Sequence, residues 1–281
     1  MEYQRFLTPN FKPYNPLELA RQTEKIITKA GSSGPLKKYV NFYSAPVYGG
    51  ISTGYAVGCC LRCIYCWTNW SRDFPENYGK FYSPKDVAEN LIKEAKEGIK
   101  SHGWEKYKNL KIDKLRISGC EPTLGKAHLL KVLEYLSDYN YPFYLETNGI
   151  LFGSDFDYVK RLAKYSNFIY VRVSFKAATP EGFNERTGAI GEFFELPFKA
   201  LRNLLEVGIY ARAAAMTDHN VMGEKERDIL IERLNKIDPT SRYDRTLEEE
   251  LIGPYETTRR RLKAFSDKEY AIKLKKELDI I

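Results

Sequence analysis

The chain has 281 residues, of which 43% are hydrophobic and 29% charged, with a formal net charge of +7 and a mean hydropathy of −0.48. This balance excludes a disordered chain, and the length suffices to bury a core without disulfide staples. No apolar run is long enough to cross a bilayer and the first residues lack the apolar stretch of a signal peptide, so the expected setting is cytoplasmic.

Residues 1–50, spotted with Pro, Gly and Tyr, read as an irregular N-terminal extension. Regular structure is expected from Ile51. Ile51 to Val57 suits a strand and is followed at once by a cysteine-rich loop. Ser83-Pro84-Lys85-Asp86 is a helix start, with a capping serine, a first-turn proline and an acidic third position. Strand-like and helical stretches then alternate. Strands are expected at Lys114–Ser118, Phe143–Glu146, Phe168–Phe175 and Ile209–Ala215, with a weaker one in Thr246–Ile252. Helices are expected over 125–138, 155–165, 193–206 and 224–237, and a basic helix from about residue 256. Such alternation predicts an α/β class with a parallel sheet and crossover helices, whose ligand site lies at the carboxyl ends of the strands.

Four motifs fall at those ends. The first is Cys59-x3-Cys63-x2-Cys66, with Cys60 beside it and only Cys120 elsewhere. Soft thiolates select zinc, copper(I) or an iron–sulfur cluster. A closed zinc site wants four ligands, whereas three thiolates leave one iron of a cubane cluster open. The second is Ser118-Gly119-Cys120-Glu121-Pro122-Thr123, where glycine allows close approach of a ligand to the backbone. The third is Glu146-Thr147-Asn148-Gly149. The fourth is Ser174-x-Lys176, whose alternation puts a hydroxyl and an ammonium group on one side of a strand. Arg212, on the following strand, is a candidate anion contact, and Thr217 to Asn220 place further polar residues past that strand.

The cysteine motif, with Tyr65 just before its last cysteine, resembles the cluster motif of the radical S-adenosylmethionine (SAM) superfamily. The resemblance covers roughly residues 51–255. It implies a partial (β/α)6 barrel over 51–255, with the extension 1–50 and a C-terminal basic helix over 256–281 added. It further implies one [4Fe–4S] cluster on Cys59, Cys63 and Cys66, whose open iron chelates SAM. Reductive cleavage of SAM would give a 5′-deoxyadenosyl radical that abstracts a substrate hydrogen. Tyr65, Gly119, Cys120, Glu121, Thr147, Asn148, Ser174, Lys176 and Arg212 become the expected SAM contacts, and a flavodoxin- or ferredoxin-type protein the external electron donor. Cys120 departs from the family's Gly-Gly-Glu-Pro motif, standing where the second glycine is usual.

With one cysteine outside the loop, a second cysteine-held cluster is not expected. The substrate stays open between a glycine on a partner protein, as in activating enzymes of glycyl-radical proteins, and a small molecule such as a nucleoside precursor, lipid or peptide. Ser174-x-Lys176 mixes the strand-end motifs of the activating enzymes and the molybdopterin-precursor cyclases. Nucleic acid is a third reading. Arg259, Arg260, Arg261, Lys263, Lys268, Lys273, Lys275 and Lys276 form a basic tail, although such runs are usually solvated helix faces. The non-enzymatic alternative is a zinc-stabilised nucleic-acid-binding protein.

Overall fold

The computed structural model describes residues 3–32 and 34–278. Ser33, Met1, Glu2 and the last three residues lie outside it. Nine strands form one sheet: β1 (Thr28–Lys29), β2 (Leu36–Ala45), β3 (Ile51–Ala56), β4 (Lys80–Tyr82), β5 (Leu115–Gly119), β6 (Phe143–Thr147), β7 (Ile169–Phe175), β8 (Tyr210–Met216) and β9 (Glu248–Glu250). The order is β1-β2-β3-β5-β6-β7-β8-β9, with β4 pairing antiparallel to the start of β2 off this path. β3 and β5 to β9 run parallel in chain order, so their carboxyl ends share one rim.

Helices connect these parallel strands. The helix Pro84–Glu97 starts as expected: Asp86 N–H donates to Ser83 Oγ at 3.1 Å and Ser83 N–H to Asp86 Oδ2 at 3.0 Å. The helix Glu224–Ile237 also has its expected bounds. The core lies between helices and sheet, where Ile117, Leu145, Val171, Val173, Leu133 and Leu201 are buried. No helix among the described residues is long and apolar enough to cross a membrane.

The N-terminal fifty residues are not irregular. Pro16–Ile27 is a helix capped by Asn15, and β2 pairs antiparallel with β3 inside the main sheet. Two features hide β2 in the sequence. Its register slips between Tyr39 and Phe42, which breaks the alternation. It also opens on two buried lysines, each used as a backbone clamp. Lys37 Nζ donates to the carbonyls of Pro122 and Leu124, both at 2.7 Å, and Lys38 Nζ to those of Pro75 and Glu76, both at 2.8 Å. Burial lowers the Lys37 pKa to about 8.

Candidate active site

A cavity of about 540 Å³ opens at the rim of the parallel strands. One wall is the cysteine loop, from which Cys59, Cys63, Tyr65 and Cys66 face the space. The other wall is made by the ends of β5, β6, β7 and β9. Every expected SAM contact lines it except Arg212, and the other eight are brought together as the sequence predicts.

Arg212 stands apart from the other eight. Its Nε donates to Tyr210 Oη at 2.9 Å and its guanidinium lies 5.6 Å from that ring. On β8 it stands in register with Arg172 of β7, which does line the cavity, so its contact with Tyr210 rather than its height on the sheet sets it apart. His219 is exposed, and Asp218 is occupied in accepting from the backbone N–H of Ile252 at 3.0 Å.

Gly119 closes β5 with φ +91, a conformation that side chains resist. A Cβ there would also stand 2.0 Å from the Tyr55 ring. The next two N–H groups are spent across the sheet, Cys120 on the Ala56 carbonyl at 3.3 Å and Glu121 on the Gly58 carbonyl at 2.9 Å. The Glu121 carboxylate is buried and turned inward. It accepts from Thr123 N at 3.1 Å, Thr123 Oγ1 at 2.6 Å, Thr147 Oγ1 at 2.7 Å and Asn148 N at 2.9 Å. Glu121 therefore ties the ends of β5 and β6 together, and Thr147 serves that tie.

Asn148 faces the cysteines. Its Nδ2 donates to Cys60 Sγ at 3.3 Å and lies 3.6 Å from Cys59 Sγ, while its Oδ1 accepts from Ile150 N at 3.0 Å. Cys120 Sγ lies 3.5 Å from Ser71 Oγ. Burial pushes the thiols of Cys63 and Cys120 up to about 12, so only a bound metal would make Cys63 a thiolate here. Tyr65 Oη is buried and has no hydrogen-bond partner among the described residues.

On the strand-end wall, Lys176 Nζ donates to Ser174 Oγ at 2.5 Å, and Ser174 Oγ donates to Glu250 Oε2 at 3.0 Å. Arg172 binds Glu248 through Nε at 2.8 Å and Glu250 through Nη2 at 2.8 Å. Arg116 Nη1 meets Glu146 Oε1 at 3.0 Å, and Ser118 Oγ also donates to Glu146. Burial pushes the Glu146 carboxyl up, but Arg116 and Arg172 outweigh it and hold it below its ordinary value. Sequence reasoning missed Glu248 and Glu250. Their two-residue spacing on a short strand was the available signal, since it sets both on one face.

The loop is also held from the C-terminal helix Glu256–Ser266. Arg261 is 1% exposed, and its guanidinium donates to the carbonyls of Cys66 at 2.7 Å, Thr68 at 2.6 Å and Asn69 at 2.9 Å. This residue is not part of a solvated basic face. Its neighbour Arg260 pairs with Glu277 at 2.5 Å.

The family model for the radical SAM superfamily matches residues 55–234. The chain belongs to the radical SAM superfamily. Members of that superfamily use a [4Fe–4S] cluster and SAM. The six parallel strands form the partial barrel of that superfamily. Among solved structures the chain is similar to SuiB of Streptococcus suis bound to its precursor peptide SuiA. That match has 18% identity over 66% of this chain and 36% of that one, with a TM-score of 0.49. It is also similar to a radical SAM methyltransferase from Sphaerobacter thermophilus, with 13% identity over 85% of this chain and 69% of that one, and a TM-score of 0.49. TYW1 with a lysine–pyruvate adduct bound matches at 15% identity over 82% of this chain and 79% of that one, with a TM-score of 0.46. The chain spans about a third to a half of the SuiB chains it matches. No curated protein matches it.

The residues present suit the superfamily's cofactors. Three thiols face one space beside an unpartnered buried tyrosine hydroxyl. No three of the described His, Cys, Asp or Glu side chains converge as they would around one metal ion.

Proposed function

We propose that Cys59, Cys63 and Cys66 hold the cluster and that the strand-end wall binds SAM for hydrogen abstraction from a peptide segment, as an activating enzyme would. When bound, the reduced cluster supplies an electron to SAM, whose cleavage yields the radical that takes the hydrogen. The backbone carbonyls at Gly119 and Cys120 would accept from the SAM ammonium group. Ser174 and Lys176 would orient its hydroxyl and carboxylate groups. Glu121 and Thr147 act by fixing the turn, Asn148 by donating toward the thiol side, and Tyr65 by offering its free hydroxyl. Trp67, whose ring stacks on Tyr55 at 5.7 Å, walls off water. Arg212 has no part in it.

The observation that favours a peptide is the cavity's rim. Trp67, Leu251 and Tyr255 line the mouth, yet they are 42%, 71% and 53% exposed. Apolar surface left open around a reactive centre suits a chain that lies across it better than a metabolite enclosed within it. The basic-tail reading of a nucleic-acid partner loses Arg261 to the interior and Arg260 to Glu277.

The test is isotope transfer under anaerobic turnover with SAM and a flavodoxin-type donor. Deuterium should enter 5′-deoxyadenosine from a glycine-deuterated protein fraction. Transfer solely from the small-metabolite fraction, or from RNA, would overturn the peptide reading.

A further inference from the structure

Each of the three cysteines assigned to the cluster has its backbone carbonyl held by a different buried arginine. Arg62 Nη1 donates to the Cys59 carbonyl at 2.8 Å, Arg72 Nη1 to that of Cys63 at 2.6 Å, and Arg261 Nη1 to that of Cys66 at 2.7 Å. The three side chains are 0%, 1% and 1% exposed. Two come from the loop itself and the third from a helix almost two hundred residues later.

One carboxylate answers them. Asp73, 0% exposed, pairs with Arg72 and with Arg261, each at 2.6 Å. Three guanidinium groups against one carboxylate leave a surplus of two positive charges in the interior behind the loop. The other charged groups around the cavity do not cancel it. Arg186 pairs with Glu226 at 2.5 Å, Lys176 and Arg172 face Glu250 and Glu248, and Glu121 is offset by Lys37, whose amine holds the same turn. Among the described residues Arg62 has the face of the Tyr3 ring, 5.3 Å away, and backbone carbonyls, and no ion pair.

Holding carbonyls does not require charge. Thr258 Oγ1 already donates to the Cys66 carbonyl at 3.0 Å. Buried cations short of counter-ions are costly, and that cost is recovered only when an anion arrives. Three thiolates around a four-iron core form such an anion, and its negative charge grows by one on reduction. Net charge around a cluster and hydrogen bonding near its sulfurs are what set its potential.

We propose that Arg62, Arg72 and Arg261 are positioning residues that raise the reduction potential of the cluster, by placing two uncompensated positive charges directly behind its three cysteines. The inference rests on the assignment of Cys59, Cys63 and Cys66 as the ligands. It separates two jobs: the carbonyl grips fix the loop, and the surplus charge favours the reduced state from which SAM is cleaved.

The experiment uses the full chain, reconstituted without air, in four forms: wild type, Asp73→Asn, Arg261→Gln, and the double variant. Iron and sulfide are counted, and the cluster's potential is read by redox titration followed by electron spin resonance, with SAM absent. Asp73→Asn should raise the potential and Arg261→Gln lower it. Each should shift the reduction equilibrium about tenfold, or about 59 mV for a one-electron couple. The double variant should return close to wild type. Single variants with full iron and an unmoved potential would overturn the proposal. Should Arg261→Gln lose its cluster, Asp73→Asn decides alone, because it leaves all three carbonyl grips in place. A wild-type chain that takes up no four-iron cluster fails the ligand assignment itself, whereas four irons with flat potentials fail only the charge inference.

Discussion

The two walls of the cavity differ in how their charges are settled. On the strand-end wall acids and bases match: Arg116 with Glu146, Arg172 with Glu248 and Glu250, and Lys176 beside Ser174 and Glu250. On the cysteine wall one aspartate faces three buried arginines and pairs with two of them. A self-neutral wall keeps its geometry whether or not a ligand is present, and so suits orientation. A wall with unmatched charge is complete only when an anion is seated. The difference accords with the proposed division, in which one side recognises SAM and the other holds the cluster.

The most severe break is on the cysteine wall. Cys63→Ala should leave two thiols where three are needed, taking bound iron from about four per chain to near zero and abolishing SAM cleavage. Iron analysis and deoxyadenosine formation check it. Glu121→Gln tests the strand-end wall. An amide cannot accept at all four of the positions that the carboxylate serves, so stability should fall by about 1–3 kcal/mol. SAM binding should weaken with it, while iron content is retained. Thermal melting, SAM titration and iron counts together separate this from a cysteine-wall lesion.

The smallest expected effect concerns acid. Burial pushes the Glu250 carboxyl up, but Lys176 and Arg172 outweigh it and hold it at about 2 against an ordinary 4.5. A folded value below the unfolded one means that ionised Glu250 contributes stability above pH 4.5, and that this is lost as pH falls toward 2. Glu250→Gln should therefore flatten the acid limb of a melting-temperature profile in that window and leave the neutral region nearly level. An unchanged acid limb would show that the strand-end wall does not settle its charges as described.

Much of this was legible in the sequence because it depends on local spacing. The cysteine loop, the glycine turn at Gly119 and the Ser174-x-Lys176 pair each follow a strand whose alternation announces it, and Ser83 caps its helix with the residues expected. What escaped depends on partners far along the chain. Lys37 looks like a surface lysine until the carbonyls of Pro122 and Leu124 are brought to it. Glu248 and Glu250 carry the spacing of one strand face, but their three-residue strand is all glutamate, with no apolar alternation to mark it. Arg261 is one of three consecutive arginines, and nothing local distinguishes the one that turns inward. Arg212 shares its height with Arg172, which lines the cavity, and differs in being engaged by Tyr210 on its own strand, a choice of partner that strand membership does not reveal.

The grip of Arg261 on the carbonyls of Cys66, Thr68 and Asn69 also bears on biosynthesis. The cysteine loop emerges from the ribosome early, whereas the side chain that fastens its far end emerges some 190 residues later. Until then the loop has one of its three fasteners missing and Asp73 has lost a counter-charge. Maturation of the metal centre should accordingly follow translation rather than accompany it, and a nascent chain stalled before residue 258 should be a poor recipient of iron.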